Sequence, residues 1–351
     1  MRFPGFGGEW KTLFIDDVCP EFQSGKNIKA ENIKSEGLYP VYGGNGLRGY
    51  TDIYNHDGTY VLIGRQGALC GNVRLVEGRN YITEHAIAVS SSNEHCIYFL
   101  YYLFYKMNLG QYSDQSAQPG LAVNKLLRLK LHIPLKDEQT KIAKILTLLD
   151  TRIATQNKII EDLKKLKVAI RDRELNSIRK YYGLNMQISE MLDYEQPSKY
   201  IVSETEYLNN KEFTPVLTAN KAFILGYTDE PFNIYDKGEC IILDDFTLDC
   251  KLVNFAFKVK SSAIKILTPK NDILLRYVYE YLNFLNLETT EHKRHYISEI
   301  EPMLIAYPDS NENVITFCDL MDKFDKKIEI ENKYLQSLLS QKNYLLSNMF
   351  I

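Results

Sequence analysis

The sequence lacks the features that mark disulfide frameworks, metal sites and membrane spans. Its six cysteines contain no CxxC pair, so we expect buried thiols in a reducing compartment, with no disulfide and no zinc site. No run approaches the roughly 20 apolar residues of a membrane helix, and Met1–Phe6 lacks the apolar core of a secretory signal. These absences predict a protein that stays in the cytoplasm and has no membrane partner.

Several catalytic motifs are also missing. The sequence contains no GxxxxGK[ST] phosphate loop and no Asn/Asp-Pro-Pro-aromatic motif of an amino-methyltransferase. Gly44–Gly49 fits GxGxxG, but Tyr50–Tyr54 and another turn at Asp57-Gly58 follow where a dinucleotide site needs a helix. Glu84-His85 and His292–His295 have no nucleophile or orienting group at motif spacing. We therefore expect this chain to be no enzyme and to hold no cofactor and no metal.

Neither sign of charge dominates. The 42 basic and 45 acidic residues give a net charge of −3, which is not typical of a protein that coats nucleic acid. Any binding to nucleic acid must therefore come from local patches. Tryptophan occurs once, whereas tyrosine occurs 25 times, which favours aromatic packing in sheets. With 351 residues, of which 45% are hydrophobic, the chain can form two cores.

The sequence does contain an internal repeat at an offset of 175 positions. Pro40-Val41 falls on Pro215-Val216, and Gly49–Asp52 has the same four letters as Gly226–Asp229. An apolar heptad series repeats without a gap: Ile142, Leu146, Leu149, Ile153, Ile160, Leu163 and Ile170 fall on Phe317, Met321, Phe324, Ile328, Leu335, Leu338 and Leu345. The polar breaks also correspond, with Gln156 over Glu331 and Lys167 over Lys342. Such a repeat indicates an internal dyad, which suits a symmetric or bipartite ligand.

Turn residues and periodicity predict four segments. Residues 1–135 and 184–308 carry short β-prone runs between turns, each with one buried helix, at Ile97–Met107 and Ile273–Leu285. Residues 136–183 and 309–351 have a heptad period and predict two long helices. The predicted class is α+β, with two β-rich domains joined by antiparallel coiled-coil helices and related by a pseudo-twofold repeat. The alternative is that each helix only packs on its own domain.

Polar and basic side chains concentrate in the glycine-rich turns. Arg, Asn and Gln have forked groups that match guanine and adenine edges, and Lys binds phosphate. The first-half candidates for DNA are Tyr42, Asn45, Arg48, Arg65, Gln66, Asn72, Arg74, Gln115, Ser116 and Gln118, with Lys26, Lys29 and Lys125 for phosphate. The second-half candidates are Asn220, Lys221, Lys251, Lys293, Arg294 and His295. For each one taken singly, a solvated surface residue or turn former is the alternative interpretation.

Several of these strings resemble a known family. Arg2–Phe6, Pro40–Asp52 and Gly64–Gly71 are similar to strings of the specificity subunit of Type I restriction-modification systems, as is Ile133-Pro134 with the heptads that follow. The resemblance spans the whole chain, although the second half lacks a counterpart of the Gly64–Gly71 string. It implies two target-recognition domains, each of which reads one half of a bipartite, asymmetric sequence in double-stranded DNA. It also implies that this chain performs no catalysis.

The resemblance further implies protein partners. Two methyltransferase subunits, which bind S-adenosylmethionine, are expected to dock on the long helices. Restriction subunits that use ATP and Mg are expected to join them. The helix positions assigned to this docking are Ile142, Leu146, Leu149, Ile153, Phe317, Met321, Phe324 and Ile328. Two other hypotheses remain open: a coiled-coil scaffold or adaptor whose β domains bind protein or glycan, and a stand-alone enzyme that uses the GxGxxG loop.

Overall fold

The computed structural model describes residues 2–113, 120–204, 206–218, 223–271, 273–287 and 294–350. The chain forms two compact units. Unit 1 contains residues 1–158 and 332–351, and unit 2 contains residues 159–331. None of the helices in the described part of the chain is long and apolar enough to cross a membrane.

Unit 1 is mostly β-structure. Its strands are β1 (Lys11–Phe14), β2 (Phe22–Ser24), β3 (Tyr39–Gly43), β4 (Gly46–Thr51), β5 (His56–Asp57), β6 (Tyr60–Gly64), β7 (Val73–Val76), β8 (Arg79–Ile82), β9 (Ala86–Val89) and β10 (Lys130–Ile133). Its helices are α1 (Ile15–Val18), α2 (Ile97–Met107), α3 (Val123–Leu127) and the first part of α4 (Lys136–Tyr182).

Unit 2 has the same kinds of element. Its strands are β11 (Met186–Gln187), β12 (Leu192–Glu195), β13 (Thr214–Leu217), β14 (Ile224–Thr228), β15 (Cys240–Asp244), β16 (Cys250–Val253), β17 (Lys258–Val259), β18 (Ile264–Pro269) and β19 (Leu304–Ile305). Its helices are the last part of α4, α5 (Ile188–Met191), α6 (Leu275–Leu285), a π-helical turn at Tyr296–Ile300 and the first part of α7 (Asn311–Met349), which ends in unit 1.

The sheets of the two units correspond, except that β5 of unit 1 has no counterpart strand in the described residues of unit 2. Unit 1 has sheets in the order β2-β9-β6-β7, β4-β3-β8-β5 and β1-β10, and unit 2 has β12-β18-β15-β16, β14-β13-β17 and β11-β19. The registers agree as well, because Leu62 of β6 lies opposite Ala88 of β9, while Ile242 of β15 lies opposite Ile266 of β18. The sequence repeat is therefore a repeat of the fold, and the predicted α+β class is confirmed.

The central strands are buried because helices cover one side and a second sheet covers the other. All four residues of β9 are buried, and α2 packs over this sheet with Phe99 and Phe104 fully enclosed. This explains why α2 is apolar on nearly all sides, as the sequence indicated. The end of α7 completes the same core through Leu346 and Phe350.

In each unit, α4 is joined to α7 by an ion pair, and the two ion pairs correspond to each other in the repeat. In unit 1, Lys342 Nζ lies 2.6 Å from Asp150 Oδ1, and in unit 2, Lys167 Nζ lies 2.7 Å from Asp325 Oδ1. The two pairs are related by the 175-residue offset. Since α4 starts in unit 1 and ends in unit 2 while α7 does the reverse, the two helices run antiparallel, as predicted. Helix α4 covers Lys136–Tyr182, where the predicted segment was 136–183, and α7 covers Asn311–Met349, where it was 309–351.

Candidate nucleic-acid interface

The GxGxxG run forms a β-hairpin in unit 1. Gly43 at the end of β3 pairs with Gly46 at the start of β4, so Gly44 and Asn45 form the connecting turn. Strand β4 then continues to Thr51. The run therefore does not form the strand–loop–helix unit that binds a dinucleotide, and the cofactor-loop hypothesis is wrong.

The second glycine-rich string, Gly64–Gly71, packs against the tip of this hairpin. A Cβ atom at Gly64 would lie 2.6 Å from the Leu69 carbonyl oxygen and 2.7 Å from that of Gly44. The main chain of Arg65 links two further segments, since its amide donates to His85 O and its carbonyl accepts from Leu121 N, both at 2.9 Å. The glycines thus let separate turns approach closely enough to form one surface.

We expect Gly64→Ala to destabilise unit 1 by about 1–3 kcal/mol, the usual cost of forcing atoms into a packed site. The sole tryptophan, Trp10, packs edge-on against Phe99 at 6.2 Å in this unit, so its fluorescence in a denaturant titration reports the loss. Gly7→Ala is the matched control, because nothing lies within 4 Å of a Cβ atom there. Equal stability of the two variants would contradict the packing role of Gly64.

The turns enclose two adjoining grooves. One has a volume of about 530 Å³, and its walls include Tyr105 of α2 and Asn108, which directly follows that helix. The other has a volume of about 440 Å³ and includes His85. Five predicted DNA-contacting residues line these grooves, and all are exposed: Asn45, Arg48, Gln66, Asn72 and Arg74. Asn45 belongs to both grooves, so the structure brings together residues that are up to 29 positions apart in sequence.

His85 belongs to a hydrogen-bonded turn between β8 and β9. Its Nδ1 lies 3.1 Å from Gln66 Oε1, and its Nε2 lies 3.1 Å from Glu84 Oε1. The Ala86 amide closes the turn by donating to the Thr83 carbonyl at 3.0 Å. Glu84 and His85 are therefore residues of a structural turn. His85 also orients Gln66 in the second groove, a role that the sequence analysis did not assign.

The other first-half candidates differ in their surroundings. Tyr42 is half-buried against Leu62 and its neighbours, and Arg65 is also half-buried. Lys26, Lys29 and Lys125 are exposed, as phosphate contacts require. Gln115, Ser116 and Gln118 lie outside the described residues. The sequence analysis thus did not distinguish the exposed groove residues from the two partly enclosed ones.

In unit 2 the predicted residues that the structure describes differ in exposure. Lys251 is exposed on β16, opposite Ile242, and Arg294 is exposed, with its Nη2 donating to Ser262 Oγ at 3.3 Å. His295, by contrast, is 2% exposed, so the structure removes it from the candidate contacts. Asn220, Lys221 and Lys293 lie outside the described residues.

His295 is buried because it belongs to a structural cluster around Asp245. The Asp245 carboxylate accepts from the His295 amide at 3.1 Å and from the Tyr296 amide at 2.8 Å, while the His295 ring lies 2.9 Å from Glu299 Oε2. Lys265 Nζ lies 3.4 Å from the second carboxylate oxygen. The cluster fixes the start of the π-helical turn at Tyr296–Ile300.

The heptad residues that we assigned to partner docking lie mainly inside the units. Ile142, Leu146 and Leu149 are buried in unit 1, and Phe317 and Met321 are buried in unit 2. Ile153, Phe324 and Ile328 are half-buried. The side chains of this series mostly stabilise the units themselves. Docking of a further chain on these helices would therefore involve their other, exposed faces.

A partly buried ionic network where α4, α6 and α7 meet in unit 2 was not predicted. Arg276 lies 2.6 Å from Glu280 and 3.0 Å from Asp322, and Lys167 lies 3.2 Å from Glu280. Burial alone would raise the pKa of Asp325, but hydrogen bonds from Lys167 and Arg276 outweigh it and lower that pKa. The polar break at Lys167 in the apolar series was the available signal. No feature of the sequence indicated that Arg276 and Glu280 of α6 take part in the network.

All six cysteines are free thiols, and four of them are buried. Burial raises the pKa of Cys19 to about 12 and has the same effect on Cys240, Cys250 and Cys318. These thiols therefore stay protonated at neutral pH, where only the thiolate is a good nucleophile or metal ligand.

Residues 7–165 match the family model of the Type I restriction modification DNA specificity domain. The EcoprrI specificity subunit of Escherichia coli, a Type I restriction enzyme subunit, is 49% identical over 148 residues, which is 41% of this chain and 36% of that protein. Residues 7–165, a little under half of the chain, thus carry the likeness to Type I restriction-modification specificity subunits. The EcoR124I/EcoR124II specificity subunit of the same organism is 43% identical over 151 residues, 40% of this chain and 37% of that protein. Each match spans little more than a third of the relative's length.

Solved structures of specificity subunits extend the likeness to the whole fold. The Type I restriction-modification S subunit from M. genitalium superposes with a TM-score of 0.70 at 20% identity, covering 100% of this chain and 99% of that one. A chain from a type I R-M system structure on complex assembly and conformational transition has a TM-score of 0.56 at 12% identity, covering 98% of both chains. At these identities the likeness concerns the fold alone.

Proposed function

We propose that this chain is a specificity subunit of a Type I restriction-modification system and reads a bipartite, asymmetric sequence in double-stranded DNA, with each unit reading one half. In this proposal the long helices set the spacer between the half-sites and bind two methyltransferase subunits. The chain itself contributes recognition and performs no catalysis.

The observation that carries the proposal is the repeat of the fold with a basic side chain at the same strand position in each unit. Arg74 lies opposite Leu62, and Lys251 lies opposite Ile242 in the corresponding strand pair. In unit 1 the Arg74 side chain shares a groove with the amide groups of Asn45 and Asn72, and Arg and Asn side chains match purine edges. Two similar surfaces with different side chains suit an asymmetric two-part ligand better than a single protein or glycan epitope.

The proposed division of labour assigns the cofactors to partner subunits. Methyltransferase subunits would bind S-adenosylmethionine and modify the DNA, and restriction subunits would use ATP and Mg. If the partner subunits share the contacts to DNA, the modest net charge of −3 is also accounted for, because partners that enclose the DNA can neutralise part of the phosphate charge. Since duplex DNA and these cofactors are found in the bacterial cytoplasm, we propose that compartment as the site of action.

We expect Arg48→Ala to relax or abolish recognition at one position of one half-site and to leave the other half-site intact. Loss of one bidentate base contact costs about 1–3 kcal/mol of discrimination. The measurement is sequencing of methylated sites in cells that express the variant with its methyltransferase partner. Wild-type cells must first show a motif in two parts, and a continuous motif would contradict the proposed function.

Lys29→Ala is the control for phosphate binding, because Lys29 is exposed and is assigned no base contact. Its loss should weaken methylation evenly across all sites and should lower the salt dependence of DNA binding. If Arg48→Ala gave the same even loss, Arg48 would be a phosphate contact and not a reader of bases.

A further inference from the structure

The loops that join β6 to β7 and β15 to β16 end in the same backbone geometry. In unit 1 the Gly64 amide donates to the Asn72 carbonyl at 2.8 Å, and in unit 2 the Asp244 amide donates to the Asp249 carbonyl at 2.9 Å. Asn72 and Asp249 each directly precede the first residue of the following strand. They therefore occupy equivalent positions, although the two loops differ in length and sequence.

The residues two positions later are equivalent too, because Arg74 and Lys251 face corresponding residues of β6 and β15. Positions i and i+2 of an extended chain point to the same side. Asn72 with Arg74, and Asp249 with Lys251, thus form two corresponding pairs, which we call the reading pairs. All four side chains are exposed, and the pair of unit 1 lines the larger groove together with Asn45.

The two reading pairs have different hydrogen-bonding capacities. The Asn72 amide both donates and accepts, so it can bind the N7 acceptor and the N6 amino group of adenine together. The ionised Asp249 carboxylate only accepts, so the N7 lone pair of a purine repels it, whereas the N4 amino group of cytosine suits it. Arg74 and Lys251 are both donors, and both match the O6 and N7 acceptors of guanine.

A carboxylate on a surface that faces DNA also weakens the binding of sequences that offer it no amino group. The phosphates repel it, so it is tolerated best where a base offers an amino group. Such a group contributes specificity by weakening the binding of every other sequence. The hydroxyl of Thr247 donates to Asp249 Oδ2 at 3.4 Å, which helps to orient the carboxylate at the end of its loop.

We propose that the reading pair Asp249–Lys251 determines the specificity of unit 2, and that Asp249 selects a cytosine where Asn72 of unit 1 selects an adenine. Lys251 donates to a guanine in the same half-site. This inference rests on the proposed function, because it requires that unit 2 reads one half of the DNA sequence.

The test is Asp249→Asn in the full chain, expressed with its methyltransferase partner in cells whose methylated sites are then sequenced. We expect the preference for cytosine at one position of one half-site to fall by roughly 5- to 150-fold, the range for one base contact. Adenine should become accepted at that position. The other half-site should not change, and total methylation should be kept, because the repulsive carboxylate has gone.

Two further variants make the test specific. Asp193→Asn is the same chemical change at an exposed residue of unit 2 outside the reading pair, and it should leave the motif unchanged. Asn72→Asp makes the reverse change in unit 1, and it should shift one position of the other half-site from adenine towards cytosine. Agreement of all three variants supports the assignment.

Other outcomes overturn it. A two-part motif that Asp249→Asn leaves unchanged would overturn this inference alone, and so would an even loss of methylation by a variant that melts at the wild-type temperature. If Asp249→Asn failed to fold, an unchanged motif in Asn72→Asp would overturn the equivalence of the reading pairs. A wild-type chain without any two-part motif would overturn the proposed function as well.

Discussion

Adding one heptad to both long helices should move methylation to sites with a longer spacer, or abolish it, while the chain still folds. The insertions belong after Lys158 and after Glu331, where each helix passes from one unit to the other. Seven residues are nearly two turns, so the apolar series continues on the same helix face. At 1.5 Å per residue the added length is about 10 Å.

On duplex DNA this length corresponds to roughly three base pairs at 3.4 Å each. Three base pairs also rotate the groove by about 100°, given 10–10.5 pairs per turn, whereas the helix pair turns by only about 20° per heptad. The second reading surface would then face a different side of the duplex. We therefore expect methylation of sites with the longer spacer to be inefficient.

The matched control places the heptad in α4 alone. It shifts one helix against the other and should break the ion pairs Asp150–Lys342 and Lys167–Asp325, which are present in the wild type. We expect that variant to lose thermal stability, whereas the double insertion should melt near the wild-type temperature. Sequencing of methylated sites in cells that express the double insertion tests whether the helices set the spacer. The original spacer at full efficiency would show that the helices do not set the distance.

The helices and the repeat could be predicted because both depend on residues that recur at regular spacing along the sequence. The heptad series needs no knowledge of distant residues, and α4 begins at Lys136 and ends just before Gly183, as the change of period indicated. The same repeat indicated two similar β-rich units, even though only a few letters, such as Gly226–Asp229, recur in the second half. Periodic patterns average over many positions and so tolerate substitutions.

Individual contacts could not be predicted in the same way. His295 stands in a basic run, but Asp245, 50 positions away, accepts a hydrogen bond from its amide and lies within the same buried cluster. The equivalence of Asn72 and Asp249 was also hidden, because it depends on a backbone hydrogen bond and not on similar letters. Such relations exist only after the chain has folded.

Charged residues inside strands gave no signal at all. Lys258 lies in β17 and is 0% exposed, yet a lysine in a short β-prone run has no feature that separates a buried position from a solvated one. Its partner Glu230 comes just after β14, and the Lys258 Nζ lies 2.5 Å from Glu230 Oε2. The other carboxylate oxygen accepts from the Ser203 amide at 2.8 Å.

Glu230→Gln should therefore destabilise unit 2 strongly at neutral pH. The substitution keeps the shape of the side chain but leaves the buried Lys258 charge without its counterion, which costs about 3–5 kcal/mol in typical proteins. Hydrogen exchange is the suitable measurement, because it resolves the two units. Amides of β13 and β17 should exchange faster in the variant, while those of β6 and β9 in unit 1 should change little. Glu161→Gln is the control, since it removes the exposed pair with Lys165, which water and salt screen, and it should change exchange little in either unit.

The same pair predicts how the effect depends on pH. The hydrogen bond from Lys258 and those from the Ser203 and Glu204 amides lower the pKa of Glu230, against the opposing effect of burial. A carboxylate with a lowered pKa in the folded state stabilises the protein fully above its unfolded pKa of about 4.3, and this stabilisation is lost as pH falls through the folded value. The difference in unfolding free energy between wild type and Glu230→Gln should thus be constant near neutral pH and should shrink as pH falls below about 4.3. A difference that stayed the same down to pH values far below that point would show that the charge of Glu230 does not stabilise unit 2.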